Sequence, residues 1–449
     1  MRMPETGIDL TRWWDKVHNA KVLTVTGEVT KVVGLTIDVV GIEASIGEIC
    51  HILVPGQEKP VDAEVVGFRE GTSLLMPLGE LQGIYPGNPV VPTGQALTVR
   101  VGDDLLGCIL DGLGRPIGGN TGNKSCKVKF PVNNPPPNPL NRQRITEVLG
   151  TGVRAIDSVL TCGKGQRIGI FAGSGVGKST LLGMIARYSE VDINVIALIG
   201  ERGREVLDFI ESDLGAEGLA RSVVVAATSD QPALIRLKGA MVATAIAEYF
   251  RNRGKNVMLL MDSVTRFAMA QREVGLAVGE PPATKGYTPS VFALLPKLLE
   301  RTGMSPRGSI TAFYTVLVDG DDMNEPIADA VRGILDGHIV LKRQLAAKNH
   351  YPAIDVLTSV SRVMSDIVTP EHMDRAARLR DLLSTYQQAE DLINIGAYNF
   401  GTNPSIDNAI RYYDDIIQFL RQPPNEPWSF SDTLAWLNSF GEKEGLEHG

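Results

Sequence analysis

Along residues 20 to about 92, apolar and polar positions alternate in short runs broken by glycine. The stretch "LTVTGEVTKVVGLTIDVVGI" changes sides at every residue between Gly27, Gly34 and Gly41, and "EICHILV" and "VDAEVVGFREGTSLLMPL" continue the pattern. A period of two with regular turn signals predicts several short strands closed into a small barrel or sandwich. From about residue 93 the pattern changes. Continuous apolar runs ("RIGIF", "NVIALIG", "VVVAATS", "VMLLMD", "SITAFYTVLV") alternate with segments of helical spacing such as "QPALIRLKGAMVATAIAEYFRNRG". Strands without alternation, interleaved with helices, predict a mostly parallel sheet covered on both faces. Beyond about 364 the strand runs stop. "TPEHMDRAARLRDLLSTYQQAEDLI" offers Thr369 as N-cap, Pro370 at the first helical position and Glu371 in the first turn, and two more helical segments follow it. The chain thus divides into an N-terminal segment (1–18), a β-barrel (19–92), a P-loop α/β domain (93–363) and a helical domain (364–449).

With 449 residues, 43% hydrophobic and 21% charged, the chain is an ordinary globular sequence long enough for about three domains. The net charge of −8 argues against a nucleic-acid partner, which calls for clustered positive charge. Cys50, Cys108, Cys126 and Cys162 follow no metal-ligand spacing and form no disulfide framework, which points to a reducing, cytoplasmic setting. There is no signal-peptide core and no apolar run long enough to span a membrane.

The chemistry concentrates at "IGIFAGSGVGKSTLLG", 168–183. A strand runs into a glycine-rich turn and then into a helix, which is the setting a phosphate loop requires. Gly173, Ser174, Gly175, Val176 and Gly177 form the turn, and its glycines let backbone N–H groups point inward around phosphate oxygens. Lys178 reaches the β- and γ-phosphates, Ser179 offers a hydroxyl to Mg2+, and Thr180 opens the helix whose positive end faces the phosphates. The strict motif has glycine where this chain has Ala172. A turn entered from a strand does not demand positive φ at that position, so the alanine is expected to be tolerated.

Ligands of open parallel sheets gather at the carboxyl ends of the strands. There "NVIALIG" leads to Glu201, a carboxylate able to polarise a water, and to Arg202, able to balance phosphate charge. "VMLLMD" ends in Asp262, the Walker-B arrangement for Mg2+. "NHYPAIDVLTSVSR" contributes two candidates by pattern alone: Tyr351, able to stack on a base, and Arg362, able to stabilise transition-state charge.

These motifs, together with "LDGLGRPI", "GTGVRAID", "IGERGREV", "MDSVTRFAMAQRE" and "GEPPATKGYTPSVFALLPKLLERTG", resemble the catalytic subunits of rotary ATP synthases and, within that group, the type III protein-export ATPases. "RFAMAQRE" and "PPATKGY" are more similar to the flagellar export branch than to the injectisome branch. The resemblance implies ATP hydrolysis with Lys178 and Ser179 on phosphate and Mg2+, Glu201 as the water-activating carboxylate and Arg202 on phosphate. It also implies Asp262 as the Walker-B acid, Tyr351 on adenine, and Arg362 as an arginine finger reaching the neighbouring subunit's site. Because one chain carries both Glu201 and the "SVSR" arginine, the expected assembly is a homohexamer. The partners implied are a stator-like export regulator, a central coiled-coil stalk protein, export substrates and chaperones at the C-terminal domain, and an export gate at the inner face of the membrane. Leu10, Trp13, Trp14 and Val17 share one helical face. That face either packs on its own barrel or, as the resemblance implies, binds the regulator. Two rival functions remain. A hexameric nucleic-acid motor would need aromatics on a basic groove, and residues 20–92 hold only Phe68 and Tyr85. A noncatalytic nucleotide-binding subunit would have no use for Glu201.

Overall fold

The computed structural model describes Trp14 and residues 25–119, 126–318, 320 and 322–440. The helix expected over 1–18 therefore lies outside the described residues, Trp14 excepted.

The first compact unit ends at Ala96. Its strands are β1 (Gly27–Val33), β2 (Thr36–Val40), β3 (Glu48–Ile52), β4 (Val61–Arg69), β5 (Thr72–Pro77) and β6 (Pro89–Ala96). They close in the order β1-β2-β5-β4-β3-β6, every pair antiparallel. The alternation read from the sequence is the inside–outside alternation of this barrel. Val29, Ile37, Val39, Cys50, Ile52, Val65, Leu75 and Val90 fill the interior.

The second unit, from Leu97, is built on a ten-stranded sheet. Seven strands run parallel, in the spatial order Gly337–Leu341, Arg167–Ala172, Ser309–Leu317, Asn256–Asp262, Ile193–Ile199, Ser222–Ala227 and Cys108–Asp111. Antiparallel pieces finish both edges: Val360–Ser361 beside Gly337–Leu341, and Pro116–Gly119 beside Cys108–Asp111. The "LDGLGRPI" segment is thus a hairpin added to the parallel sheet. Asp111 fixes its turn by accepting from the N–H groups of Leu113 (2.9 Å) and Arg115 (2.8 Å) and from Arg115 Nε (2.7 Å).

The central strands are buried on both faces because helices cover both. One of them, Ala233–Asn252, is buried nearly all round and stops just before Gly254, whose φ of 84° turns the chain into the next strand. At the carboxyl side of the chain, Thr369 caps Pro370–Asn394 by accepting from His372 N at 3.3 Å, and Pro404–Leu420 and Phe430–Ser439 follow. These helices share one apolar core with the sheet domain: Leu379, Leu383, Ile416, Phe419 and Leu437 join Ile156, Val159 and Leu181 in a single cluster. No helix among the described residues is long and apolar enough to cross a membrane.

Candidate active site

The phosphate loop leaves the sheet after Ala172. That residue is the last of its strand, fully buried and paired with Leu317 on one side and Leu341 on the other. It sits in extended backbone, so a methyl group there costs nothing. The positive φ falls later, at Gly175 (76°) and Gly177 (83°), where only glycine is free of strain. Val176 anchors the loop by inserting into the apolar core. Gly177 is the N-cap of the helix Lys178–Tyr188, whose first N–H groups open toward the loop. A Cβ on Gly177 would lie 3.2 Å from the Tyr351 ring in addition to forcing an unfavourable φ. Gly177→Ala is therefore expected to weaken ATP binding by roughly tenfold or more, the loss that one strained backbone position implies, readable by equilibrium titration.

Lys178, Glu201 and Asp262 converge in front of the loop. Lys178 Nζ contacts Asp262 Oδ1 directly and lies 3.7 Å from Glu201 Oε1. Asp262 is 5% exposed, and its Oδ1 also accepts from Thr315 Oγ1 at 2.7 Å. Thr315 stands in the neighbouring strand, where Tyr314 pairs with Met261, and so fixes the carboxylate from the side. Glu201 follows Gly200 at the end of Ile193–Ile199, and its Oε1 is buried with no hydrogen-bond partner. Burial first and the nearby Asp262 charge second push its carboxyl up to about 7, against the smaller opposing pull of Lys178. A carboxyl poised near neutrality at a strand end is suited to take a proton from water. Arg266, on the helix Val264–Val278, packs its stem against Gly200, and its charge also bears on Glu201.

The remaining residues sit around this cluster. Ser179 is exposed in the first turn of the loop helix, with Thr180 next to it. Tyr351 is 41% exposed, with its ring against Gly177. Arg202 is one residue beyond Glu201, yet its side chain is 77% exposed and bonds Glu205 Oε1 at 3.0 Å. As N-cap of Gly203–Asp208 it points into solvent and takes no part in the lysine–carboxylate cluster of this chain.

Arg362 lies elsewhere. It follows the edge strand Val360–Ser361; its N–H donates to Asp336 O at 3.0 Å, and Asp336 N–H donates to Arg167 O at 2.9 Å. It is therefore level with Arg167, at the start of the strand that ends in the phosphate loop. Five residues of strand at ~3.3 Å each separate that level from Ala172, about 16 Å along the sheet. The Arg362 guanidinium reaches Arg332 O at 3.4 Å.

Sequence reasoning did not single out Thr315 or Arg266. Thr315 is one of several polar residues in "SITAFYTVLV", beside Ser309, Thr311 and Tyr314, so only the pairing of its strand with Asn256–Asp262 marks it out. Arg266 lies inside the "MDSVTRFAMAQRE" motif, but nothing in that pattern assigns it a role at the site.

Models of the ATP synthase alpha/beta family match the β-barrel domain over residues 29–94 and the nucleotide-binding domain over 152–361. A model of the T3SS EscN ATPase C-terminal domain matches 368–439. The flagellum-specific ATP synthase of Bacillus subtilis (strain 168) is 61% identical over 419 residues, spanning 93% of this chain and 95% of that protein. The chain belongs to the ATP synthase alpha/beta family. The type 3 secretion system ATPase of Xanthomonas euvesicatoria is 53% identical over 92% of the chain and 93% of its own length. The solved structure of the assembled ATPase EscN, from the type III secretion system of enteropathogenic E. coli, is 49% identical, with a TM-score of 0.87 over 92% of this chain and 99% of its own. A second solved structure holds EscN with its central stalk EscO and aligns with a TM-score of 0.86 over the same 92%. The chain is thus an ATPase of the flagellar protein-export kind, and the cluster at Lys178 lies inside the 152–361 span that matches the family's nucleotide-binding domain.

Proposed function

We propose that this ATPase works as a homohexamer that hydrolyses ATP at its subunit interfaces and uses the energy to unload, unfold and translocate flagellar export substrates. The observation that carries this reading is the position of Arg362. An arginine expected to stabilise the transferring phosphoryl group stands at the far end of the sheet from its own phosphate loop, so the loop it serves belongs to a neighbouring copy. EscN has been solved as an assembled ATPase and with a central stalk, which supports the same assembly and a stalk partner here.

Within each site, the loop N–H groups, Lys178 and the N-terminus of Lys178–Tyr188 bind the triphosphate, and Tyr351 meets the base. Arg202, exposed beside Glu201, is placed to meet phosphate only by turning inward as the site fills. ATP gives Lys178 a new counter-charge, so that Asp262 is released. Glu201 then accepts the proton of the attacking water, and the neighbour's Arg362 meets the charge that develops on the phosphoryl oxygens.

The donor set suits Mg2+: Ser179 and Asp262 offer hard oxygens, and Asp262 is paired with Lys178, the lysine that ATP would draw off. Among the described residues no group of three or more His, Cys, Asp or Glu could hold a metal alone, which fits an ion that arrives on the nucleotide's phosphates. Bound there, it would neutralise charge on the β- and γ-oxygens. The other partners in this reading are the regulator at the N-terminal segment, substrates and chaperones at the helical domain, and the export gate. Together they place the enzyme in the cytoplasm against the inner face of the membrane.

The test is specific activity against protein concentration. An arginine finger contributes ~10³ to 10⁵ in rate, so monomers are expected to be nearly inactive and activity per subunit to rise steeply with concentration. A flat line at full activity down to nanomolar protein would remove the interface from the mechanism.

A further inference from the structure

One buried residue links Tyr351, through its backbone, to the segments at Gly152, Arg154 and Glu426, through its side chain. Gln422 is 2% exposed. Its backbone N–H donates to Tyr351 O at 2.9 Å. Its Oε1 accepts from Arg154 N at 2.8 Å, and its Nε2 donates to Gly152 O at 2.8 Å and to Glu426 O at 2.7 Å. The carboxamide thus has its carbonyl and both N–H groups engaged, a state that specifies a single arrangement in a dry interior.

The segment around it behaves as a strap. Arg421 Nη2 donates to Lys348 O at 3.3 Å, three residues before Tyr351. Pro424 O accepts from Arg187 Nη2 at 2.7 Å and Tyr188 Oη at 3.0 Å, the last residues of the phosphate-loop helix. At its start the strap continues Pro404–Leu420, whose Phe419 stacks on Trp436 with ring centroids 3.6 Å apart. Beyond it, Trp428 Nε1 donates to Glu426 Oε1 at 2.8 Å and lies beneath the Arg154 guanidinium, 4.6 Å from its centroid. Pro423 and Pro424 restrict the backbone between these anchors. A displacement at the tyrosine therefore has no slack to absorb it before it reaches the helices.

We propose that Gln422 is a positioning residue: its side chain fixes the segment whose backbone N–H holds Tyr351, and so ties the fit of the base against Tyr351 to the placement of the C-terminal helices. This rests on the reading of Tyr351 as the base-facing residue. A residue that merely stabilised the fold would change melting temperature and leave discrimination between nucleotide and bare polyphosphate untouched. The strap touches the phosphate-loop helix only at its carboxyl end, at Arg187 and Tyr188, and meets the front of the site at Tyr351.

The test uses the full-length protein, ATP as substrate and inorganic tripolyphosphate as a competitor that lacks a base. Gln422→Ala is expected to raise KM for ATP about tenfold, the effect of losing a buried hydrogen-bond set, with kcat within about twofold and the tripolyphosphate inhibition constant unchanged. An unchanged KM, or KM and the inhibition constant rising together, overturns the proposal. Tyr351→Ala and the double variant separate the two layers of the argument. If Tyr351→Ala leaves KM unchanged, the base-facing reading itself falls. If it raises KM and Gln422→Ala adds its full effect on top, the tie between them is refuted, because residues acting through one another are not additive. Should Gln422→Ala fail to fold, Arg187→Met combined with Tyr188→Phe cuts the strap at Pro424 O instead. That pair is expected to give the same base-specific signature at about threefold, one or two exposed hydrogen bonds' worth, and its absence overturns the proposal equally.

Discussion

Replacing Glu201 by Gln is expected to lower ATP turnover by ~10² to 10⁴ while leaving ATP binding intact, the loss typical of removing a positioned proton acceptor. The variant keeps shape and volume, and Lys178 keeps Asp262 as its partner, so no buried charge is stranded. The parent enzyme carries a second signature. In the nucleotide-free chain burial and the nearby Asp262 charge push its Glu201 carboxyl up to about 7. A plot of kcat/KM, which reports the free enzyme, is expected to fall with unit slope below that pH, and the limb should vanish in Glu201→Gln. The same carboxyl makes a stability prediction of fixed sign. Its folded value lies above the ordinary 4.5, so the folded state holds a proton that the unfolded state has released between about 4.5 and 7. Stability therefore declines as pH rises through that window, and the decline is at most about 3 kcal/mol. Glu201→Gln should melt higher than the parent at pH 8 and at nearly the same temperature at pH 4.5, by calorimetry without nucleotide. Parent-like turnover in the glutamine variant, or a pH profile flat from 5.5 to 8, would assign the base to another residue.

Much of this site is readable from the chain because each part sits where a strand ends. The phosphate loop, Glu201 and Asp262 all close continuous apolar runs, and in a doubly covered parallel sheet those ends converge on one rim. Ala172 shows the limit of motif matching and its remedy: the position lies inside the strand, so the backbone freedom that a glycine supplies is not called for until Gly175. What the sequence withholds is lateral order. Nothing in "SITAFYTVLV" states that its strand lies beside Asn256–Asp262, and it is that pairing which turns Thr315 into a ligand of Asp262. Gln422 is silent for the same reason: its four partners come from residues 152, 154, 351 and 426, brought together only by the packing of the last helices on the core. Arg202 shows the converse, a residue adjacent to the site in sequence whose side chain the local helix cap turns outward. The barrel was legible as alternation, but its closure depends on β6 pairing with both β3 and β1, which no local pattern specifies.

Two inactive variants are expected to restore each other. Arg362→Ala leaves the phosphate loop intact and removes the finger; Lys178→Ala disables the loop and leaves the finger. Each alone should lose ~10³ or more in rate, the lower range for removal of an arginine finger. If Arg362 served its own chain, a mixture would be the sum of two dead enzymes. The structure argues otherwise, because Arg362 is level with Arg167 and the loop begins only after Ala172, about 16 Å further along the strand at ~3.3 Å per residue. The distance exceeds what one arginine side chain spans, and the strand between is locked by pairing on both sides. In a head-to-tail ring every interface joins one subunit's loop to the next subunit's finger, so random co-assembly of equal amounts should give an intact pair at about a quarter of the interfaces. Co-expressed or mixed as monomers before assembly, the two variants should then recover activity hundreds of times above either parent variant. The recovery should depend on their ratio and peak at equal amounts. A mixture that stays at the level of its components, with ring formation verified by imaging, would place the finger in its own chain or remove Arg362 from the chemistry altogether.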